Sequence, residues 1–283
     1  THLAQRHEVP TPQTFRVSST DELRRLADRL PYPAIVKPVD TIGFAEALQR
    51  NGRNIMVEAP SKIVKVADEL DEAGLATRTM IVQEYIPGGI QELFTYTSYS
   101  NAHGRVLSWS VGHKIRQQPV DAGTITAGRV VRNIELERIG ERLIEGIGFH
   151  GIANSEFKRD ARTGDYVLIE INPRPGMWNR SALATGVNLP AMAYREAIGE
   201  VIERTGTTDN SLVWVNTFHD LYGHLSMNNA TSVWQGLLDW WRSLSGRKVD
   251  AILHIRDPMP SVAHCVMLAS VAARRILRAW RGP

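Results

Sequence analysis

Two glutamates and an asparagine in a predicted β-hairpin have the residue types and spacing needed to bind a divalent metal ion. Two segments with strand character, 151–158 and 166–172, flank a polar turn that ends in Gly-Asp, which is typical of a hairpin. Alternation along the second strand places Glu170 and Asn172 on one face, and pairing across the hairpin brings Glu156 beside Glu170. Neighbouring buried carboxylates repel unless a cation lies between them. Oxygen ligands of this kind favour Mg²⁺ or Mn²⁺, which usually also holds phosphate groups.

The alternative interpretation is that both glutamates are solvated on the open face of a sheet. The end of the second strand argues against it, because Glu170, Asn172 and Arg174 place an acid, an amide and a guanidinium at alternate positions. Three costly polar residues on one side of an apolar strand favour a binding site.

These motifs resemble the ATP-grasp superfamily, whose metal site is a Glu-x-Asn-x-Arg strand ending paired with an acidic residue on the preceding strand. Residues 33–38 (PAIVKP) resemble the strand whose lysine reaches the nucleotide phosphates, and 81–88 (IVQEYIPG) resemble the hinge strand beside the adenine. The resemblance covers about residues 8–200. It implies an α+β fold in which two α+β lobes grip a nucleotide cleft.

Two further segments resemble carboxylate–amine ligases similar to D-aspartate ligase. They are HKIRQQP at 113–119 with the following 121–124, and GVNLP at 186–190. This likeness implies an ATP- and Mg²⁺-dependent ligase that joins a small-molecule carboxylate to an amine through an acyl phosphate. A phosphotransferase acting on a hydroxyl and a non-catalytic ATP-binding module stay open as alternatives.

The resemblance also implies roles for individual residues. Six would bind nucleotide: Lys37, Gln83, Glu84, Tyr85, Ile86 and Glu92. Lys37 would act as a point charge on the phosphates, the backbone of 84–86 would meet the adenine edge, and Glu92 would hold the ribose hydroxyls. Three would neutralise phosphoryl charge: Lys114, Arg116 and Arg174. Glu156, Glu170 and Asn172 would hold the metal.

One segment departs from the superfamily pattern. The phosphate-covering loop is usually rich in glycine, whereas 41–54 contains only Gly43 and Gly52. The second nucleotide-binding cation is also not obvious: Arg53 is the nearest candidate, and Lys62 and Lys65 are the less favoured alternatives. This departure motivates the non-catalytic alternative.

Composition limits the remaining classes of protein. Hydrophobic residues make up 43% of the 283, enough for a sizeable core. Cys265 is the single cysteine, which excludes an intrachain disulfide and favours a reducing compartment such as the cytoplasm. A net charge of +3 is too mild to indicate nucleic-acid binding. No run approaches the roughly 20 apolar residues of a membrane-spanning helix.

Three regions are expected along the chain. Residues 1–87 would form the small lobe with the lysine strand and the hinge strand, and 88–205 the larger lobe with the metal hairpin. Residues 206–283 would be an extension whose helices pack on the larger lobe.

The end of that extension, 261–280, has the pattern of an amphipathic helix with arginines towards its C-terminal end. Such a helix could pack on the core or attach to a membrane surface or partner protein, and a homodimer stays open. Because the grasp-like region begins near Val9, a further domain of roughly 100 residues is expected upstream or from another chain.

Overall fold

A computed structural model describes residues 2–48, 54–118, 123–207, 210–227, 232–267 and 270. The described residues form two β-sheets, one of four strands and one of eight, with helices packed against them. The predicted α+β class is therefore confirmed.

The smaller sheet is built from strands in the first third of the chain. They are β1 (Thr14–Val17), β2 (Ala34–Pro38), β3 (Ile55–Val57) and β4 (Met80–Glu84). The strands lie antiparallel in the order β1-β4-β2-β3. The same stretch contains the helices α1 (His2–Arg6), α2 (Thr20–Leu26), α3 (Phe44–Ala47) and α4 (Pro60–Glu72).

Local signals explain where these helices begin. The hydroxyl of Ser19 accepts a hydrogen bond from the Glu22 amide at 3.2 Å and caps α2, a role for which serine is strongly preferred. Helix α4 begins at Pro60, with Ala59 as its cap residue. Proline at the first helical position has the required φ already and needs no hydrogen-bond partner for its nitrogen.

The larger sheet occupies most of the remaining chain. Its strands are β5 (Leu93–Ser100), β6 (Val106–Gln118), β7 (Thr124–Val131), β8 (Gly151–Arg159), β9 (Tyr166–Asn172), β10 (Thr205–Gly206), β11 (Val213–Val215) and β12 (Lys248–Asp250). The order is β12-β11-β7-β6-β5-β8-β9, with β10 paired to β6. The helices are α5 (Ile134–Gly146), α6 (Asn179–Ala184), α7 (Leu189–Ala197), α8 (Thr217–Met227) and α9 (Val233–Ser243).

The core of the larger lobe lies between this sheet and α5. Tyr96 and Phe157 from the sheet are fully buried together with Leu136 and Leu143 from the helix. Alternation along the strands then leaves the next residues on the opposite face of the sheet, where the polar side chains described below are found.

Residues from the beginning of the chain also join this core, which the predicted small lobe of 1–87 did not anticipate. Ala4 and Val9 are buried in the larger lobe, and the Leu168 amide donates a hydrogen bond to the Pro10 carbonyl at 2.8 Å. Because β9 is the edge strand of its sheet, it has a free side that this segment can pair with. The smaller lobe therefore begins near Thr14.

The region after 206 also differs from the prediction of packed helices alone. Strands β11 and β12 extend the larger sheet beyond β7, and β10 pairs with β6. Helix α7 ends at Ala197. Gly199 then has a φ of +85°, a conformation that ends a helix.

Residues 259–267 are helical, whereas 268–269 and 271–283 lie outside the described residues. Most of the predicted helix at 261–280, with all of its arginines, therefore also lies outside them. Within the described ranges, no helix has the length and apolar character needed to cross a membrane.

Candidate active site

The hairpin of β8 and β9 brings the predicted metal ligands together. Glu156 lies directly opposite Glu170 in the strand register, and Asn154 lies opposite Asn172. The predicted proximity of Glu156 and Glu170 is thus confirmed. The register shifts next to Glu156, because β9 contains an extra residue at Ile169. Such a bulge re-aims the side chains that follow it.

Lys114 reaches this carboxylate pair from β6. Its Nζ lies 3.0 Å from Oε2 of Glu156, and the lysine side chain is only 7% exposed. Thr95 of β5 lies between the two strands, in register with both Glu156 and Gly112. A buried ammonium needs a compensating charge, so Lys114 and Glu156 stabilise each other in place.

The amide groups beside the carboxylates have defined orientations. Nδ2 of Asn172 donates to Oε1 of Glu170 at 2.8 Å, which leaves the amide oxygen of Asn172 available as a ligand. The buried Asn154 accepts hydrogen bonds from the hydroxyls of Thr95 and Thr97 at 2.9 and 2.8 Å. The floor of the site is therefore fixed by hydrogen bonds.

This set of oxygen ligands fits a hard cation whose coordination is completed by phosphate oxygens. Among the described residues, no group of three or more His, Cys, Asp or Glu side chains could hold a metal by itself. Glu156, Glu170 and Asn172 offer two carboxylates and one amide oxygen. Mg²⁺ is commonly held by one or two carboxylates together with phosphate oxygens and water, so an incomplete protein set is what it requires.

The two predicted arginines have different surroundings. Arg174 is exposed, with one guanidinium nitrogen 3.1 Å from the Pro175 carbonyl. Arg116 instead forms a two-point ion pair with the buried Asp220 of α8, at 2.9 and 2.6 Å, and also donates to Ser243. The strand register shifts on each side of Arg116, and its side chain points to Asp220 rather than to the carboxylate pair. The structure therefore places Lys114, but not Arg116, against the carboxylate pair.

The predicted nucleotide residues of the smaller lobe lie along β2, β4 and the segment after β4. Nζ of Lys37 is 3.0 Å from Oε1 of Gln83. The Glu84 amide donates to Gln13 and the Tyr85 amide to Pro33. Ile86, which follows them, is 4% exposed.

One cavity is lined both by a predicted nucleotide-binding residue of the smaller lobe and by a predicted metal ligand of the larger lobe. It has a volume of about 240 Å³ and lies along the edge of β9. Both Gln83 of the smaller lobe and Glu170 of the larger lobe line it, next to Pro12 and Ile171. Most of its lining comes from the N-terminal segment and β9, including Leu3, Ala4, Thr11 and Leu168, so the cavity brings Gln83 near Glu170 but lies mainly along the N-terminal side of β9.

The hairpin also contacts the hinge through residues that sequence reasoning did not assign. Nζ of Lys158, a side chain that is 7% exposed, lies 4.1 Å from the centre of the Tyr85 ring, a cation–π distance. Alternation along β8 places Lys158 on the same face as Glu156, which was the signal that could have identified it.

Two arginines of the hairpin form ion pairs with predicted nucleotide residues. Arg159 binds Glu92 through two hydrogen bonds of 2.7 and 3.3 Å, and Arg162 lies 2.8 Å from Glu84. The hydrogen bonds from Arg159 lower the pKa of Glu92, which keeps this carboxylate charged. Nothing in the local sequence pattern pairs these residues, because each pair is more than sixty positions apart.

Trp178 covers the sheet next to Lys114. Cβ atoms added at Gly112 and Gly128 would lie 2.3 and 2.6 Å from its ring, so only glycine leaves room for the indole. The Trp178 ring in turn lies 5.7 Å from that of Trp214. Glycines on neighbouring strands were the signal for a close approach of this kind.

Comparison with known proteins agrees with this geometry. Residues 76–218, half of the chain, match the family profile described as "ATP-grasp in the biosynthetic pathway with Ter operon". The chain belongs to the ATP-grasp superfamily. The matched span contains the hairpin, Lys114 and the hinge segment of this ATP-grasp protein.

Individual relatives are more distant. The chain is 24% identical over 225 residues to the D-aspartate ligase of Enterococcus faecium, an alignment covering 75% of this chain and 53% of the ligase. The chain thus spans about half the length of that curated relative. A carbamoyl phosphate synthase large-chain section from Methanopyrus kandleri is 28% identical, with 67% of this chain and 33% of the relative covered.

A solved structure shows the same fold. The N5-carboxyaminoimidazole synthetase of Staphylococcus aureus has a TM-score of 0.58 at 13% identity, covering 87% of this chain and 70% of that enzyme. The predicted ATP-grasp fold is therefore confirmed, since such a likeness at low identity reports on the fold.

Proposed function

We propose that this ATP-grasp protein is an ATP- and Mg²⁺-dependent ligase that joins a small-molecule carboxylate to an amine. The observation that carries the proposal is the pairing of Glu156 with Glu170 beside the buried Lys114. The names of its relatives support the same class, because they include a D-aspartate ligase. A cytoplasmic location is part of the proposal.

The chemistry begins with an activation step. A carboxylate is a poor acylating agent because its leaving group would be oxide. One carboxylate oxygen attacks the γ-phosphorus of ATP, the bond to the β,γ-bridging oxygen breaks, and an acyl phosphate and ADP result. The amine nitrogen then attacks the acyl carbon, phosphate leaves, and the nitrogen loses a proton to give the amide.

The residues of the larger lobe would neutralise the charge in these steps. Glu156, Glu170 and Asn172 would hold Mg²⁺, which supplies charge neutralisation at the phosphate oxygens. Lys114 lies beside Glu156, and the exposed Arg174 can bind a phosphate or carboxylate at two points. Arg116 would have to leave Asp220 to take the same role, so we assign it to anchoring the site instead.

The residues of the smaller lobe would bind the nucleotide. Lys37 would contact the phosphates, with Gln83 holding its ammonium group. The backbone around Glu84 and Ile86 would meet the adenine edge. Glu92, kept charged and oriented by Arg159, would accept hydrogen bonds from the ribose hydroxyls.

A single substitution tests the site. Glu170→Ala should lower amine-dependent ADP release at least about 100-fold, because one of the two carboxylates is lost, while the circular dichroism spectrum stays unchanged. The matched control is Glu72→Ala, which alters an exposed glutamate at the end of α4 and should keep wild-type activity. Full activity of Glu170→Ala would overturn the assignment.

The acceptor can be identified by separate measurements. ADP release with an acid and hydroxylamine, together with an acyl hydroxamate, supports the ligase. ADP release that depends on an alcohol would instead show phosphoryl transfer to a hydroxyl. Thermal stabilisation by ATP without ADP release in any pool of acids, amines and alcohols would show a non-catalytic binding module.

A further inference from the structure

Helix α9 exposes one apolar face to solvent. Trp234, Leu238 and Trp241 are 77%, 49% and 60% exposed. They are spaced four and three residues apart, so they lie on the same side of the helix. The opposite side packs on α8, where the Trp240 indole donates to Asp220 at 2.7 Å.

The helix at 259–267 also exposes apolar side chains to solvent. Val262 and Val266 are 53% and 64% exposed, and Met259 on the same side is 68% exposed. The inward side is formed by His264, whose ring lies 5.5 Å from that of Phe218 in α8. The exposed apolar residues of α9 and of 259–267 are called the C-terminal apolar surface below.

The surrounding sequence is strongly cationic. Residues 232–283 contain eight Arg or Lys residues and three Asp, whereas the rest of the chain carries a net charge of −2; four of these arginines, at 274–281, lie outside the described residues. Arg242, Lys248 and Arg256 are exposed. Nζ of Lys248 lies 4.6 Å from the centre of the Trp241 ring, so positive charge borders the apolar residues directly.

We infer that the C-terminal apolar surface attaches the protein peripherally to an anionic lipid bilayer. Tryptophan favours the boundary between headgroups and acyl chains, and flanking cations are attracted by anionic headgroups. A second copy of the chain fits less well, because a symmetric interface would bring the same cations together.

The test is co-sedimentation of the full chain with vesicles. The wild type should bind vesicles of phosphatidylcholine mixed with phosphatidylglycerol, and not vesicles of phosphatidylcholine alone. Added salt should weaken the binding by screening. The double variant Val262→Asp with Val266→Asp should bind at least about tenfold more weakly, and Val201→Asp, at a residue that is 89% exposed elsewhere, should bind like the wild type.

A second variant distinguishes a loss of binding from a loss of folding. Trp234→Ser changes the other helix and should also weaken binding, with an unchanged unfolding transition. The inference is overturned if the wild type does not sediment with anionic vesicles. It is also overturned if the wild type is a dimer in solution that the double variant converts to a monomer, since a second copy would then cover the surface. Neither outcome bears on ADP release.

Discussion

Lys158 places a cation where the base of a nucleotide is expected. It is buried on the cleft face of β8, two residues after Glu156, and contacts the Tyr85 ring. A base that stacked on Tyr85 would therefore meet an ammonium group as well as apolar side chains. Cation–π contact strengthens as water is excluded, so closure of the cleft would strengthen this interaction.

The ion pair of Glu92 with Arg159 predicts a pH-dependent contribution to stability. Because the hydrogen bond from Arg159 lowers the pKa of Glu92 in the folded state, the pair stabilises the fold above the ordinary carboxyl pKa. The contribution is lost as the pH falls through the lowered pKa. The arginine side chain is 49% exposed, so solvent screening keeps the effect small.

Urea unfolding of the wild type and Glu92→Gln measures this effect. The variant should be less stable at neutral pH. The difference between the two proteins should shrink at acid pH, where the protonated Glu92 of the wild type is as uncharged as the glutamine that replaces it. A difference that stayed constant between neutral pH and about pH 3 would show that charge is not its cause. Arg159→Gln should show the same pH trend as Glu92→Gln.

At the scale of elements, the hairpin was the most predictable part of the molecule. Strand β9 has the predicted bounds and β8 is one residue longer than predicted, because alternation and turn residues are local signals. The position of Trp178 over β6 and β7 was not predicted. It depends on a loop that folds back over glycines about fifty or more residues earlier, and no periodicity reports such a contact.

The close fit of Trp178 predicts that Gly112→Ala will be destabilising. A methyl group at this position would lie 2.3 Å from the indole, and overpacking of this kind costs about 1–3 kcal/mol. Gly176→Ala is the control, because its nearest contact would be an ordinary 3.4 Å. Thermal or urea unfolding measures both variants.

A double variant tests the cause of the predicted loss. If the indole is responsible, Trp178→Phe should reduce the additional cost of Gly112→Ala, since the smaller ring leaves room for the methyl group. An equal cost in both backgrounds would assign the effect to the glycine backbone instead.

At the scale of the whole molecule, Asp220 links the C-terminal helices to the sheet. Its fully buried carboxylate accepts hydrogen bonds from Arg116, Thr126 and Trp240. Asp220→Ala should therefore destabilise the fold by about 3 kcal/mol, because Arg116 loses its counter-charge. Urea unfolding measures the loss. Asp239→Ala, which removes a partly exposed carboxylate of α9, should change stability by less than about 0.5 kcal/mol.

The role of Asp220 also shows what sequence reasoning lacked. Arg116 was predicted to neutralise phosphoryl charge from its place in a motif, but its partner lies 104 positions away. Local pattern identified the strand and the charged residue. The choice between a phosphate and a buried carboxylate depends on tertiary packing, which neither spacing nor alternation encodes.

The attachment of the smaller lobe restricts how it can move. The chain passes from the larger lobe to β1 at Gln13 and returns after β4 at Glu84, and these two residues are joined by a backbone hydrogen bond of 2.8 Å. Because the two connections between the lobes lie side by side, they define a single hinge axis. Two connections at opposite ends of the lobe would instead restrict rotation about any axis. Rotation about this line needs no break in the β1–β4 pairing. We therefore expect any movement of the smaller lobe relative to the carboxylate pair to be mainly a rotation about this line.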